Sequence, residues 1–287
     1  MKPAPFEYHR PVTLAETFDL LDRYGDDGRI LAGGQSLVPT MNMRLVTPRA
    51  VIDINRLPGF DTIQITPEGL VIGALARHEA LERSPLVREY APLIAAAMPH
   101  IGHEAIRTRG TLGGSLALAD PAAELPACAV ALDATIGLTS RRGRRDVPAA
   151  DFFRGIYTTA LESGEIVADL TVPRAPSGWR SGFDELARRH GDFALAGLAA
   201  RMRLDDGVIA EARLVFLGVG TRPVRARAAE AALTGGRSSA DRVAAARHAL
   251  QNDIDPPADV HGSPALRRHL AGVLLARVVS TLVEARA

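Results

Sequence analysis

Two stretches of this chain, Leu31-Ala32-Gly33-Gly34-Gln35-Ser36-Leu37-Val38 and Arg109-Gly110-Thr111-Leu112-Gly113-Gly114-Ser115-Leu116-Ala117, carry paired glycines, and the second runs on into Asp120-Pro121 and Glu124-Leu125-Pro126. Glycine lacks a Cβ, so its backbone can approach a ligand closely and adopt conformations that other residues avoid. A diphosphate needs such backbone, because several amide N–H groups must point at its oxygens. Ser36, Thr111 and Ser115 would add hydroxyl donors, and a helix opening after each pair would turn its positive dipole end toward the same anion. Neither stretch has the G-x-G-x-x-G spacing of a Rossmann turn or the Gly-Lys-Ser/Thr of an ATP-binding loop, which argues against both. A glycine pair on its own is most often a plain turn, so the flanks must decide.

Outward from these stretches the chain alternates helix and strand signals. Thr13-Leu14-Ala15-Glu16 has the form of a capping box, opening an amphipathic helix through Leu20, Leu21 and Tyr24 that stops at Gly25. Arg29-Ile30-Leu31-Ala32 reads as a strand leading into the first glycine pair, with a helix start at Ser36-Leu37-Val38-Pro39. Residues 50–54 and 69–74 read as strands, and a helical segment from Ser84-Pro85 is divided by Pro92 and Pro99, since proline lacks the amide a helix interior needs. Further strands are expected around Ile136 and over 165–172. Val172-Pro173-Arg174-Ala175-Pro176-Ser177-Gly178 is the most linker-like segment, which divides the chain into domains 1–176 and 177–287. In the second domain, apolar runs at 199–204 and 208–217 flank Asp205-Asp206-Gly207, a hairpin signal, and helices are expected over 226–233, 241–250 and 263–284. By pattern the first stretch reads as α/β and the second domain as sheet plus helices.

Length and composition narrow the function classes. A chain of 287 residues is long enough for two domains with real cores. Hydrophobic residues at 47%, charged residues at 23% and a net charge of +1 describe a globular protein, neither disordered nor built to scavenge nucleic acid. No apolar stretch approaches the roughly 20 residues that span a bilayer, and Met1-Lys2-Pro3-Ala4-Pro5 begins no signal-peptide core, so a cytoplasmic protein is expected. Cys128 is the single cysteine; an internal disulfide is excluded, as is an iron–sulfur or zinc site from this chain alone, since these need about four ligands with several thiolates.

With their flanks, AGGQSLVP and TLGGSLALADPAAELPA, the two stretches resemble the separate flavin "medium subunit" of the molybdenum hydroxylases, the xanthine dehydrogenase and carbon monoxide dehydrogenase family. The resemblance extends over nearly the whole chain: Phe6, Tyr8 and Pro11; Val51-Ile52-Asp53-Ile54-Asn55; Ile72-Gly73-Ala74; Ile101-Gly102-His103; Ala149-Ala150-Asp151-Phe152-Phe153; Gly191-Asp192-Phe193-Ala194; Gly218-Val219-Gly220; and Asp259-Val260-His261-Gly262-Ser263. It implies an α+β fold, a two-part PCMH-type FAD-binding domain followed by a smaller domain with an antiparallel sheet and helices. Residues 31–38 together with Thr111, Gly113, Gly114 and Ser115 would hold the pyrophosphate, and Glu124, with Asp120 as neighbour, would meet the ribose or ribityl region. Ile101, Ile166 and Val167 would contact the isoalloxazine. Arg188, Arg189 and Phe193 would lie near the ring, where a positive charge stabilises the anionic reduced flavin by Coulomb attraction. The resemblance further implies a large molybdopterin subunit, a small subunit with two [2Fe-2S] clusters, and a dimer of heterotrimers. This chain would take electrons onto FAD and pass them to an external acceptor. Many relatives carry a lysine just before the arginine run, where Asp184 and Glu185 stand here, so no lysine role is transferred. Leu266 also replaces an aromatic residue of the last helix.

The remaining candidates have plainer readings. His100 and His103 have a helical ligand spacing, but Pro99 and Gly102 beside them argue against a regular helix and hence against a metal pair. Cys128 lies in an apolar run typical of a buried thiol. Arg141-Arg142-Gly143-Arg144-Arg145 reads as a solvated loop, and Trp179 as core or interface. Asp151 and Asp169 have no visible catalytic partner. Two alternative functions remain at this point: a free-standing FAD oxidoreductase, or a non-catalytic nucleotide-binding assembly module.

Overall fold

A computed structural model describes residues 2–284. The first helix runs Leu14–Tyr24, with Thr13 Oγ1 accepting from the Glu16 amide at 3.2 Å and Glu16 Oε2 accepting from the Val12 amide at 2.8 Å. Gly25, with φ +48°, ends it. A small parallel sheet holds the strands Glu7–His9, Ala50–Asp53 and Gly28–Leu31, in that spatial order. Phe18 from the helix packs on Ile52, Ile54, Leu57, Leu75 and Ile166 to form its core.

A five-stranded antiparallel sheet follows, ordered Ile63–Thr66, Gly69–Gly73, Ile166–Pro173, Thr135–Ser140, Gly143–Pro148. Helices Pro92–Ala97, Leu112–Leu118 and Glu124–Ala131 pack with it around Leu70, Ile72, Leu93, Leu116, Ile136 and Leu170, all fully buried. The prolines divide the 84–100 region as expected, into Pro85–Tyr90, Pro92–Ala97 and the turn Met98–His100. Helix Glu124–Ala131 has no sequence forecast; its Pro126 falls in the first turn, where a missing N–H leaves no helical bond unmade.

The arginine run is a correction. Only Arg141 and Arg142 lie in a turn, while Gly143–Pro148 is an edge strand. Arg144 Nη2 reaches Asp169 Oδ1 at 2.9 Å, and Arg145 Nη2 reaches Glu165 Oε2 at 2.6 Å. A solvent-facing edge strand carries mostly polar residues, so its two-residue period does not show as hydrophobicity.

In the second domain the strands Trp179–Leu186, Ala196–Asp205, Val208–Leu217 and Val224–Arg225 form an antiparallel sheet in chain order, and Gly236–Arg237 also pairs with Val208–Leu217. Asp206 and Gly207 both have positive φ, +50° and +80°, as a tight two-residue reversal requires. Trp179 lies on the first strand with the Arg201 guanidinium 4.6 Å over its ring. Helices Arg227–Leu233 and Ala240–Ala249 and the long helix Pro264–Glu284 supply Leu233, Ala246, Leu274 and Leu275 to a core with Leu198, Leu214 and Phe216. The opposite face does not meet water: Ala199, Val215 and Leu217 belong to the core of the first domain. Covering both faces explains why Ala196 to Met202 is buried without alternation.

Candidate functional site: a backbone cradle at a parallel sheet edge

Leu31 and Asp53 are register partners at the carboxyl ends of adjacent parallel strands, so the chain leaves both strands at one edge. Open parallel sheets characteristically place ligands at such edges. From Leu31 the chain turns through Gly33 and Gly34, whose φ of +72° favours glycine. A Cβ on Gly33 would lie 2.5 Å from the Arg109 carbonyl oxygen and 2.9 Å from Gly110 Cα. The two glycine stretches are therefore in backbone contact.

They are built for different tasks. Among the described residues, the amides of Gly33, Gly34, Gln35 and Ser36 have no acceptor in the chain. Consecutive uncommitted amides of this kind form an anion-binding surface. In the second stretch the amides are spent: Leu112 N–H donates to Ala76 O at 3.0 Å, Gly113 N–H to Ala74 O at 2.8 Å, and Gly114 N–H to Thr111 Oγ1 at 3.2 Å. Gly113 is buried, and a Cβ there would lie 2.8 Å from the Ala74 carbonyl oxygen, so this glycine serves close packing. Ser115 is half-buried one turn into the helix that Thr111 caps.

Two residues that sequence reasoning did not single out lock the stretches together. Asn55 Nδ2 donates to the Ala32 carbonyl at 2.8 Å and to Asp53 Oδ1 at 2.6 Å, while Asn55 Oδ1 accepts from Arg77 Nη2 at 2.6 Å. Arg77 Nη1 in turn donates to the Arg109 carbonyl. One side-chain chain thus reaches from the first glycine turn to the second. Asp53 is buried; burial pushes its carboxyl up, but hydrogen bonds from Tyr8 and Asn55 outweigh this and hold it below the usual range. The Arg77 guanidinium is pulled down by burial and by Arg109. Asn55 was visible as the end of the Val51–Asn55 motif, whereas an arginine that grips a distant carbonyl has no spacing signature.

Ile101 is buried just after the turn Met98–His100, and its carbonyl accepts from Arg107 Nη1 at 3.2 Å. Arg188, Arg189 and Phe193 are exposed on the loop that follows Trp179–Leu186, Phe193 being 70% exposed. That loop returns to the first domain beside Ile101: His190 stacks on His103 at 6.3 Å, and a Cβ on Gly191 would lie 2.8 Å from the His103 ring. Asp120 Oδ1 accepts from the Ala122 amide at 2.9 Å, and Oδ2 from the Tyr157 hydroxyl at 3.3 Å. Glu124 opens its helix, its carboxyl pushed up to about 7 by burial and by the Asp120 charge. Ile166 and Val167 are buried in two different cores, Ile166 with Phe18 and Ile52, Val167 in the larger one. His78 packs under Gly110 and is pulled down to about 4 by burial, so it is neutral at neutral pH. Among the described residues no three His, Cys, Asp or Glu side chains group as metal ligands, and no helix is long and apolar enough to cross a membrane.

Fold and cradle together define a two-domain α+β protein whose first domain presents a row of uncommitted amides at a parallel sheet edge. Comparison with known proteins makes the class specific. Residues 4–175 match the family "FAD binding domain in molybdopterin dehydrogenase", and residues 181–282 match "CO dehydrogenase flavoprotein C-terminal domain". The 6-hydroxypseudooxynicotine dehydrogenase complex subunit alpha of Paenarthrobacter nicotinovorans is 40% identical over 99% of this chain and 94% of its own. The carbon monoxide dehydrogenase medium chain of Hydrogenophaga pseudoflava is 35% identical over 98% of each. Among solved structures, carbon monoxide dehydrogenase from Hydrogenophaga pseudoflava superposes with a TM-score of 0.95 at 37% identity over 98% of both chains. Quinoline 2-oxidoreductase from Pseudomonas putida 86 superposes with a TM-score of 0.94 at 36% identity over 99% of both. The chain belongs to the FAD-binding medium subunits of the molybdenum hydroxylases, the xanthine dehydrogenase and carbon monoxide dehydrogenase family, and is an oxidoreductase flavoprotein subunit.

Proposed function

We propose that this chain accepts electrons onto FAD from the [2Fe-2S] clusters of a small partner subunit and passes them to an external acceptor, while a large molybdopterin subunit oxidises the substrate. The observation that carries this is the row of uncommitted amides at Gly33, Gly34, Gln35 and Ser36, which fits a pyrophosphate. A single buried cysteine is consistent with clusters held elsewhere. The relatives' printed names, a complex subunit and medium chains, support a multi-subunit enzyme, for which we propose a cytoplasmic dimer of heterotrimers.

Bound FAD supplies the redox chemistry; the residues of this chain hold and tune it. Domain 1–176 supplies the cradle: residues 31–38, with Thr111, Gly113, Gly114 and Ser115 packed against them, would hold the pyrophosphate. Glu124, with Asp120 as neighbour, would accept hydrogen bonds from nucleotide hydroxyls. Ile101, Ile166 and Val167 would contact the ring, and Arg188, Arg189 and Phe193 from domain 177–287 would lie near it, where the arginines would favour negative charge on it.

The test is the visible spectrum of the natively purified protein, with the released cofactor and the co-eluting chains identified. Released FAD beneath iron–sulfur absorption from two partner chains is expected. A yellow protein running alone would replace this reading with a free-standing oxidoreductase, and a colourless chain that takes up no FAD would overturn the cradle. The clamp gives a second expectation. Arg77→Met removes charge-assisted bonds to Asn55 and to the Arg109 carbonyl, worth about 1.5–3 kcal/mol, so FAD should bind roughly 10-fold more weakly or worse in a fluorescence titration. Unchanged affinity would remove Arg77 from the site.

A further inference from the structure

The helices Ala240–Ala249 and Pro264–Glu284 of the second domain bound a groove of about 520 Å³. Both pack on the sheet face that the first domain does not cover, so the groove and the cradle belong to different parts of the molecule. Each helix presents the same Ala-x-x-Arg-His spacing to the groove: Ala244, Arg247 and His248 from one, Ala265, Arg268 and His269 from the other. Residues three and four apart share a helix face, so each side carries a small residue and, one turn on, a guanidinium beside an imidazole. Among the described residues no acidic side chain lines the groove.

The Arg247 guanidinium is placed by the opposite helix. A Cβ on buried Gly272 would lie 3.3 Å from Arg247 Nε and 3.7 Å from Nη2, so this side chain reaches across and rests against bare backbone. Gly272 follows Arg268 by four residues and His269 by three on one helix face, which brings Arg247 within a turn of both. Arg268 meets one carboxylate, Asp255 Oδ1 at 3.5 Å, on a side chain wholly in solvent, and so exposed a pair contributes little. The adjacent Arg267 shows the contrast, its Nη2 lying 2.7 Å from Asp259 Oδ2. Arg247 and His248 gain from the carboxyl end of their helix, but Arg268 and His269 stand near the amino end of theirs, where the dipole offers a cation nothing. Two guanidiniums that converge with no anion between them repel, and a bound dianion removes the repulsion.

We propose that this groove binds a small organic phosphate, its phosphoryl group held by Arg247 and Arg268, with His248 and His269 beside it and the organic part over Ala244 and Ala265. The guanidinium fork matches pairs of phosphate oxygens, and two arginines on facing helices supply two such forks. A bare phosphate fills a fraction of the groove, whose volume falls in the range of small-molecule sites. No lining residue belongs to the cradle, so the proposal stands apart from the FAD reading.

The experiment takes the natively purified protein, with its co-eluting chains and whatever flavin it carries, and measures binding of inorganic phosphate and of phenyl phosphate by calorimetry, with the thermal midpoint as a check on folding. Saturable binding of both is expected, phenyl phosphate the tighter. Arg247→Gln and Arg268→Gln should each weaken it by about tenfold or more through loss of a charge-assisted contact. Arg174→Gln, which removes the same charge from the exposed interdomain linker, should change it by less than about twofold. Gly272→Ala sets a Cβ against the Arg247 guanidinium and should weaken binding with both arginines still present. No saturable binding to the wild type would overturn the proposal. So would binding that survives both arginine variants, since the phosphate would then sit at the amides of residues 33–36 or elsewhere. Phenyl phosphate bound no better than inorganic phosphate would overturn the organic-ligand assignment. Loss of a co-eluting chain from Arg247→Gln, with no phosphate bound by the wild type, would make the groove a protein contact and overturn the proposal as well.

Discussion

Gly33→Val should abolish FAD retention. The lesion is the Cβ itself, which would meet the Arg109 carbonyl oxygen at 2.5 Å and Gly110 Cα at 2.9 Å, both backbone atoms that cannot rotate away. The two stretches must separate, the Arg109 carbonyl leaves the reach of Arg77, and the open amides of residues 33–36 shift with the turn. We expect FAD affinity to fall by about 100-fold or more, equivalent to roughly 3 kcal/mol, with the far-ultraviolet circular dichroism unchanged. Gly33→Ala should suffer nearly as much. Gly155→Ala is the matched control: its φ is ordinary and the nearest atom to an added Cβ, Thr158 Cβ, is 4.0 Å away. Full flavin content in Gly33→Ala would mean that contact between the stretches is irrelevant to binding.

Arg267→Met should cost about 2–4 kcal/mol of stability, most of it from two backbone carbonyls left without a donor. Arg267 is 5% exposed on the last helix, and its Nη1 donates to the Leu195 carbonyl at 2.7 Å and to the Gly218 carbonyl at 2.9 Å. Nη2 meets Asp259 Oδ2 at 2.7 Å. Methionine fills much of the volume but leaves two carbonyls without a donor and Asp259 without its cation. The damage reaches the domain junction, because the Gly218 amide donates to the Pro121 carbonyl at 2.8 Å. At about 2–4 °C per kcal/mol for a chain of this size, calorimetry should show the transition roughly 10 °C lower. Burial raises the Asp259 carboxyl, but the Arg267 bond and two backbone amides outweigh it and hold it below its usual value, so its share of stability is lost as pH falls through that lowered range. A midpoint within about 2 °C of wild type would show that the arginine stabilises little.

Much of this architecture is readable from residue patterns. The Thr13 cap, the Asp206-Gly207 turn and the helices of the second domain obey local chemistry, and the structure reproduces them within a few residues. The glycine pairs marked the cradle, yet not the division of labour within it. Whether an amide is free depends on a carbonyl far away in sequence, as with Gly113 and Ala74. The same limit hides Arg77, whose two partners lie on different loops. Arg144 and Arg145 read as solvent because their carboxylate partners, Asp169 and Glu165, follow them only after an intervening hairpin.

The sheet of the second domain gives one face to its own helices and the other, through Ala199, Val215 and Leu217, to the core of the first. Two regions that match separate family descriptions thus share one interior. A chimera that takes residues 4–175 from one relative and 181–282 from another must therefore also match their packing across this face.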